Sequence, residues 1–378
     1  MLKPELVYVS EEAVHDKMTA RVLERLPDAK VVYLSERKDP LSDKRVPLNE
    51  AIEQGKKSLL LTRHLGDWIE HCPAGTSSHV CCNLWTVNPG EGCPMDCTYC
   101  YLQSYLKGNP TLKLYTNPED MLSEIERKAD EDPARLVRVG TGETIDSLAY
   151  DDLSDLSLEL VPFFARKQNL LLELKTKTNN IDNLLSLKNE HKGKTVVSWS
   201  VNAEQVCSSD ELGTASLDDR LAAASACVEA GYRVGFHFDP LVYFDGFEQG
   251  YRETISKIFK AVSPSQIAWF SIGTLRYRKE MHKTMKERFP DSQIPLGEQF
   301  LAPDNKLRYR QPVRLKLINT VWSALKAVDK SLPIYMCMEN NTVWRTVSGE
   351  APGRDDNLVE IMSRKGKKGA LGTLSYTM

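Results

Sequence analysis

Asn88-Pro89-Gly90-Glu91-Gly92-Cys93-Pro94-Met95-Asp96-Cys97-Thr98-Tyr99-Cys100-Tyr101 is the segment on which the reading of this chain turns. Its three cysteines are spaced C-x3-C-x2-C and follow a Pro/Gly-rich turn at the end of an apolar, β-rich run. Thiolate is the soft ligand that iron–sulfur clusters prefer. Three thiolates on a four-iron, four-sulfur cluster leave one iron without a protein ligand, and an open metal position is where a substrate or cofactor coordinates. A structural zinc site is the competing expectation. It needs four ligands, often as paired C-x2-C knuckles, and the fourth would come from Cys72, Cys81, Cys82, His71 or His79. Cys81 and Cys82 are adjacent on an expected strand, so they face opposite sides and read as core residues, as do Cys207 and Cys227.

Outward from the cysteines the pattern is a regular alternation. Short β-rich runs fall at Val80–Val87, Leu136–Val139, Leu170–Leu174, Thr195–Val201, Arg233–Phe238 and Ile267–Ile272, with helical signatures between most of them. Asn117 is placed as an N-cap, with Pro118 at the first helical position and Glu119 and Asp120 complementing the dipole. A second helix begins after Ser216, buries Leu217, Leu221, Ala224 and Val228, and stops at Gly231. Strands alternating with amphipathic helices predict parallel βαβ units. The expected fold is α/β, a partial, open (β/α)6 barrel over residues 79–290, whose site lies at the carboxyl ends of the strands. Residues 1–78 read as a small α/β unit, with strands at Leu6–Val9 and Lys30–Leu34, a helix from Glu11 to Leu26 and an exposed linker from Ser35 to Pro47. Residues 291–362 are expected to be a C-terminal extension, and 363–378, rich in Gly and Lys, a mobile tail.

Composition narrows the function classes. The net charge of −3 excludes a generic polyanion binder, so any nucleic-acid contact must come from a local basic surface. No apolar run approaches the length of a bilayer span, and the N-terminus lacks the apolar stretch of a secretory signal, which predicts a cytoplasmic protein without a membrane partner. Nine cysteines, an odd number, in a reducing compartment favour metal or redox chemistry over a disulfide framework.

The C-x3-C-x-aromatic-C pattern, with Tyr99 at the aromatic position, resembles the signature of radical S-adenosylmethionine enzymes. The resemblance implies that Cys93, Cys97 and Cys100 hold a [4Fe-4S] cluster. It implies that the methionyl group of S-adenosylmethionine chelates the open iron, and that an external electron donor such as flavodoxin or ferredoxin reduces the cluster. Cleavage of the sulfonium then gives a 5′-deoxyadenosyl radical. Gly140-Thr141-Gly142-Glu143 looks like the family's glycine-glycine-glutamate turn, with Thr141 in place of one glycine; glycines admit close backbone approach, and Glu143 is placed to accept from the methionyl ammonium. Lys177 follows the strand Leu170–Leu174 and is a candidate for the methionyl carboxylate. Ser200 and Asn202 face one side of their strand and are candidates for the ribose hydroxyls.

A closer resemblance is to the spore photoproduct lyase family of DNA-repair enzymes. It rests on Cys97-Thr98-Tyr99-Cys100-Tyr101-Leu102-Gln103, on Gly213-Thr214-Ala215-Ser216 leading into Asp219–Ala224, and on Gly231–Phe236; Phe247–Tyr251 and Arg288-Phe289-Pro290 also fit. That resemblance implies reversal of a thymine dimer, with a cysteine thiol quenching the product radical and Tyr99 and Tyr101 matching the tyrosines that help return the hydrogen. The family's donor cysteine follows the second barrel strand. Here that region is Gly140-Thr141-Gly142-Glu143-Thr144, without a thiol, and Cys337 is the best remaining candidate.

For substrate contact the candidates are His237 and Asp239, which share one side of a strand, and Arg276 and Arg278. The latter belong to a basic run with Lys279, Lys283, Lys286 and Arg288; Lys306, Arg308, Arg310, Arg314 and Lys316 form another. Such runs are expected to track phosphates. Three functions stay open at this point: a radical enzyme on a pyrimidine photoproduct or other base in DNA, the same chemistry on a nucleoside, peptide or metabolite, and a non-catalytic metal-binding module.

Overall fold

The computed structural model describes residues 3–35, 40–41, 46–71, 79–80, 82, 84–106 and 109–351. Its central sheet has eight strands. In chain order these are Ile69–His71, Trp85–Val87, Val137–Gly140, Leu170–Thr176, Thr195–Ser200, Arg233–Leu241, Ile267–Thr274 and Ile334–Met336. They lie side by side in that same order, so each strand neighbours the next. The last seven are parallel, and only Ile69–His71 runs antiparallel, at one edge. The two edge strands do not pair, so the sheet curls into a partial, open barrel. We number the seven parallel strands as first to seventh.

Helices complete the βαβ units. Pro118–Asp130, Leu156–Ala165, Leu217–Glu229, Phe247–Ala261 and Gln311–Val328 separate successive strands. In the third strand Leu170, Leu172 and Leu174 are buried on one face while Glu173 and Lys175 point to the other, the lumen; the period of two sets this division. Ser216 caps its helix as expected, its Oγ accepting from the Asp219 amide at 3.1 Å, and Gly231 takes φ +97° beyond the other end. Asn117 also precedes its helix, but its side chain bonds His64 and Asp120 instead of the helix amides.

All six expected barrel strands have a counterpart, the first reduced to Trp85–Val87. Ile334–Met336 adds a seventh. The sheets also cross the boundaries expected at 78/79 and 290/291. Ile69–His71 joins the barrel from the N-terminal side, and Ile334–Met336 joins it from the C-terminal side. Conversely, the N-terminal sheet (strands Leu6–Ser10, Lys30–Leu34 and Ser58–Thr62) is extended by Leu112–Tyr115 and Gly90–Glu91. The cysteine segment therefore starts on the edge of one sheet and ends over the mouth of the other. The expected N-terminal helix is shorter, Lys17–Arg25, because Glu11–Ala13 forms a separate 3-10 turn. Much of the expected linker, and the tail at 363–378, lie outside the described residues.

Candidate active site

Cys93, Cys97 and Cys100 occupy one loop over the carboxyl ends of the barrel strands, and none is in a disulfide. Cys97 is buried and the other two half-buried; the Cys93 thiol is met by the Met95 backbone and the Cys100 thiol by the Leu102 backbone. Burial pushes the Cys93 thiol up to about 12, with Asp146 adding to the effect and Lys56 opposing it. Burial also raises Cys97, where Lys177 opposes and Cys100 and Cys93 add to the rise, so the three sulfurs share one electrostatic site. Neighbouring thiols whose ionised form is penalised by burial more than nearby lysines relieve it suit a cationic metal cluster. A single zinc ion would draw its ligands to one point. Among the described residues no group of three or more His, Cys, Asp or Glu side chains is gathered as a single-ion site.

The loop is held from four directions. Gly92 has φ +84°, and a Cβ there would lie 2.4 Å from Leu112 Cδ2, so only glycine fits the turn into Cys93. Lys56 Nζ, from the N-terminal unit, donates to the carbonyls of Cys93 (2.8 Å) and Met95. Arg288 donates to Asp96 Oδ2 at 2.7 Å and to Gln103 Oε1 at 2.6 Å, while Gln103 Nε2 donates to the carbonyls of Cys97 and Thr98. Asp96-Cys97 pairs antiparallel with Glu211-Leu212.

Glu211 is a functional residue that sequence reasoning missed. It is buried and accepts from the Tyr99 hydroxyl and from Lys177 Nζ at 3.3 Å; Arg220 Nη1 lies 2.6 Å from its other oxygen. Burial alone would raise the carboxyl, but Lys177 and Arg220 hold it at about 2. Tyr99 is thereby buried and pinned beneath Lys177, whose ammonium stands 5.6 Å from the ring centroid. Tyr101, in contrast, is 38% exposed. Its hydroxyl donates to the Glu143 carbonyl and so ties the cysteine loop to the Gly140–Glu143 turn.

That turn follows the second strand. A Cβ on Gly142 would lie 3.0 Å from Ser147 Oγ and 3.1 Å from the Lys175 carbonyl, so the turn packs closely on the third strand. Asp146 and Ser147, also missed, latch it there: Asp146 accepts from Thr176 Oγ1 (2.7 Å) and the Lys177 amide (2.8 Å), and Ser147 Oγ from Thr141 Oγ1 (2.8 Å). An Asx turn after a Gly-rich stretch was the signal available. Ser200 lies at the end of the fourth strand, on the lumen side. Asn202 is turned away: its amide donates to the Pro240 carbonyl at 2.9 Å and its oxygen accepts from Tyr251 at 2.8 Å.

His237 and Asp239 face the lumen as expected. His237 Nε2 lies 2.7 Å from Glu173 Oε1, which also accepts from Ser198 (2.9 Å) and Trp269 (3.1 Å). Burial would raise Glu173, yet Arg138 and His237 hold it well below the usual carboxylate range. Asp239 binds Arg276 through both oxygens, at 2.8 and 3.1 Å, and Arg276 Nη2 reaches Cys337 Sγ at 3.4 Å. Cys337 thus enters the site at the end of the seventh strand. Cys82 meets Arg138 at 2.9 Å, while Cys72 and Cys81 lie outside the described residues.

The two basic runs are mostly spent on ion pairs. Arg308 is held by Asp304, Arg314 by Glu339, Lys316 by Glu248 and Arg310 by Glu298. Among the described residues Arg278, Lys279 and Lys286 remain exposed without an ion pair, next to Lys283. No described helix is long and apolar enough to cross a membrane.

The family model for spore photoproduct lyase matches residues 76–310. The chain belongs to the spore photoproduct lyase family. The spore photoproduct lyase of Geobacillus sp. (strain Y412MC61) is 31% identical over 216 residues, covering 57% of this chain and 63% of that protein. For the Bacillus subtilis (strain 168) enzyme the figures are 30% over 211 residues, 55% and 61%. The chain thus matches somewhat under two thirds of the length of these relatives. A solved structure of spore photoproduct lyase complexed with dinucleoside spore photoproduct superposes with a TM-score of 0.76 at 23% identity, covering 89% of this chain and 98% of the other. A variant of that enzyme with bound AdoMet and the same lesion superposes equally well, at the same identity and coverage. At this identity the structures establish the family's partial barrel as the fold.

Proposed function

We propose that this chain is a radical S-adenosylmethionine enzyme of the lyase type that acts on a pyrimidine photoproduct or other base in DNA. The observation that carries the reading is the loop of three neighbouring thiols in C-x3-C-x2-C spacing, none of them in a disulfide, tied through Tyr101 to the Gly140–Glu143 turn. Cys93, Cys97 and Cys100 would hold a [4Fe-4S] cluster, and Gly140, Thr141, Gly142, Glu143, Lys177 and Ser200 would line the S-adenosylmethionine site. Asn202 would act there by fixing the end of the fifth strand. When bound, the cluster and cofactor supply a carbon radical that removes a hydrogen atom from the substrate.

The remaining work falls to side chains of this chain. Lys177 keeps two N–H groups beyond its bond to Glu211 and brings positive charge to Cys97. Tyr99 is held rigid, whereas Tyr101 keeps an exposed ring at the rim. Cys337, at the end of the seventh strand, is the thiol that would return hydrogen to the product in place of the one absent after the second strand. An external donor such as flavodoxin or ferredoxin would supply the electron. Arg278, Lys279, Lys283 and Lys286 supply the exposed basic surface for a DNA backbone.

A second reading keeps the chemistry and changes the substrate to a nucleoside, peptide or metabolite. It is favoured by the charged lumen, where Arg138, Glu173, Lys175, His237, Asp239 and Arg276 converge; a thymine pair presents no charge to match them. One experiment separates the two. Anaerobically reconstituted protein is reduced with S-adenosylmethionine, and 5′-deoxyadenosine is measured with irradiated DNA, plain DNA and no DNA. Stimulation by the irradiated sample alone supports the first reading. Equal cleavage in all three moves the substrate to the second, and no cleavage removes both.

A further inference from the structure

We propose that Lys56, a residue of the N-terminal unit, raises the reduction potential of the cluster by placing a positive charge behind the Cys93–Cys97 stretch, with Asp96 as its counterweight. The inference rests on the cluster reading above and gives the N-terminal unit a part in the arrival of the electron.

Lys56 closes the helix Leu48–Lys56. A Cβ on Gly55 would lie 2.2 Å from the Pro110 carbonyl oxygen, so the helix end packs directly on the chain that returns from the cysteine loop. That contact brings the next side chain over the loop. Its ammonium donates to the Cys93 carbonyl at 2.8 Å and to the Met95 carbonyl. Covalent geometry keeps a cysteine sulfur within about 5 Å of its own carbonyl oxygen, so the ammonium stands within about 8 Å of Cys93 Sγ.

Both of those acceptors are neutral. The carboxylate beside the ammonium is Asp96, whose Oδ1 stands 3.6 Å away and makes no hydrogen bond among the described residues. Its Oδ2 is held by Arg288 at 2.7 Å. Two cations therefore share one carboxylate at the back of the loop, which leaves a net positive charge. The side chains of Lys56 and Arg288 are only 17% and 4% exposed, so solvent ions screen that charge less than they screen a surface pair. The far side of the loop repeats the arrangement, with Lys177 and Arg220 on Glu211. There, however, Lys177 also faces the cofactor turn and Glu211 also pins Tyr99. Lys56 hydrogen-bonds only the loop carbonyls among the described residues, so the effect of its charge can be isolated.

Reduction adds one electron from the external donor to a cluster held by three thiolates and breaks no bond. A fixed positive charge stabilises the reduced form more than the oxidised one, and net charge is one of the levers on cluster potential. A unit charge about 8 Å away in a partly buried setting is enough to change that equilibrium about tenfold. The sign of the effect comes from the charge and not from the hydrogen bonds, which separates tuning from scaffolding.

The test titrates the anaerobically reconstituted full chain with dithionite in the presence of redox mediators and follows the paramagnetic signal of the reduced cluster. Lys56→Met removes the charge and the donors, Lys56→Gln removes the charge and keeps an N–H donor, and Lys56→Arg keeps both. At a fixed poise the ratio of reduced to oxidised cluster should fall about tenfold in Lys56→Met and in Lys56→Gln, a downward shift of about 60 mV, and stay within about twofold of wild type in Lys56→Arg. Asp96→Asn, which keeps an acceptor for Arg288, should move the ratio the other way. A wild-type midpoint in Lys56→Gln, whether or not Lys56→Met shifts, overturns the proposal, because the charge then has no effect. An equal fall in Lys56→Arg overturns it too. Where Lys56→Met and Lys56→Gln hold too little iron to titrate, Asp96→Asn decides: a raised ratio supports the proposal, and an unchanged or lowered one refutes it. A wild-type protein that takes up no iron and sulfide removes the cluster reading and this inference together, whereas an assembled cluster with the same potential in every variant removes this inference alone.

Discussion

The Tyr99 hydroxyl donates to the Glu211 carboxylate across 112 residues of chain, and this bond fixes the cysteine loop against the barrel. The same carboxylate anchors Lys177 and Arg220, and its backbone pairs with Cys97. One buried anion therefore sets the aromatic residue between Cys97 and Cys100, the lysine that follows the third strand and the short strand that carries Cys97. Without it two cations would be left buried and uncompensated.

Replacing Glu211 should consequently cost more than one hydrogen bond. Removing one partner of a buried ion pair costs about 3–5 kcal/mol. Glu211→Ala should lose stability of that order in denaturant unfolding, and Glu211→Gln about half as much. Both should lower iron and sulfide retained after reconstitution. An unchanged unfolding midpoint in the alanine variant would show that the cluster of charges contributes nothing.

Acid should act through the same residue. Its carboxyl is held at about 2 against an ordinary 4.5, so the folded state binds that proton less readily than the unfolded state. The stabilisation is complete above the unfolded value and is lost as pH falls from 4.5 towards 2; linkage puts it on the order of 3 kcal/mol. The metal-free wild type should lose stability over that window, and metal-free Glu211→Gln should lose less. Parallel pH profiles would contradict this.

Part of this site was legible in the sequence, and the physics explains which part. The cysteine spacing reads directly, because soft ligands on a Pro/Gly turn have few other uses. The period of two placed His237 and Asp239 in the lumen, and strand–helix alternation gave the parallel barrel. Glu211 could not be read, because its partners at 99, 177 and 220 meet only after the barrel closes. Lys175 and Lys177 share a parity, so sequence alone could not divide them. The strand ends at Thr176, which leaves Lys175 in the lumen and carries Lys177 past the rim to Glu211. The reach of the N-terminal sheet could not be read either, because Leu112–Tyr115 pairs with Ser58–Thr62 across some fifty residues that include the cysteines.

Single serine substitutions at Cys93, Cys97 and Cys100 should each abolish the brown colour and reductive cleavage of S-adenosylmethionine. Cys227, buried in the apolar core with its thiol pushed up to about 12, is the internal control. Cys227→Ala should keep full iron content and lose about 1–2 kcal/mol of stability through the lost packing. If a variant at any of the three loop positions retains wild-type iron and cleavage, the assignment of the cluster fails.

Arg288 ties the helix Met281–Arg288 to Asp96, between the first two cysteines, so the exposed lysines on that helix and the cluster loop share one anchor. Arg288→Ala should leave Asp96 with only Lys56, 3.6 Å from its other oxygen, and Gln103 Oε1 without its donor, reduce cluster retention and weaken DNA binding modestly. Lys283→Ala and Lys286→Ala should weaken DNA binding and reduce its salt dependence without touching iron content. Equal iron loss in all three variants would mean that the helix acts only as scaffold.

Cys337 supplies the last prediction. Its sulfur is at the end of the seventh strand, beside Arg276 and across the lumen from the turn that lacks a thiol. A thiol hydrogen exchanges with solvent, whereas a carbon-bound hydrogen does not. If Cys337 quenches the product radical, turnover in D2O should place one solvent deuterium in the repaired base. The C–D bond forms as the S–D bond breaks, which leaves a thiyl radical that Tyr101 or the external reductant must return to the thiol. Cys337→Ala should keep S-adenosylmethionine cleavage, lose most repaired product and lose the deuterium with it, while Cys207→Ala, buried behind Asn202, should behave as wild type. Deuterium at the wild-type level in Cys337→Ala would assign the donor elsewhere.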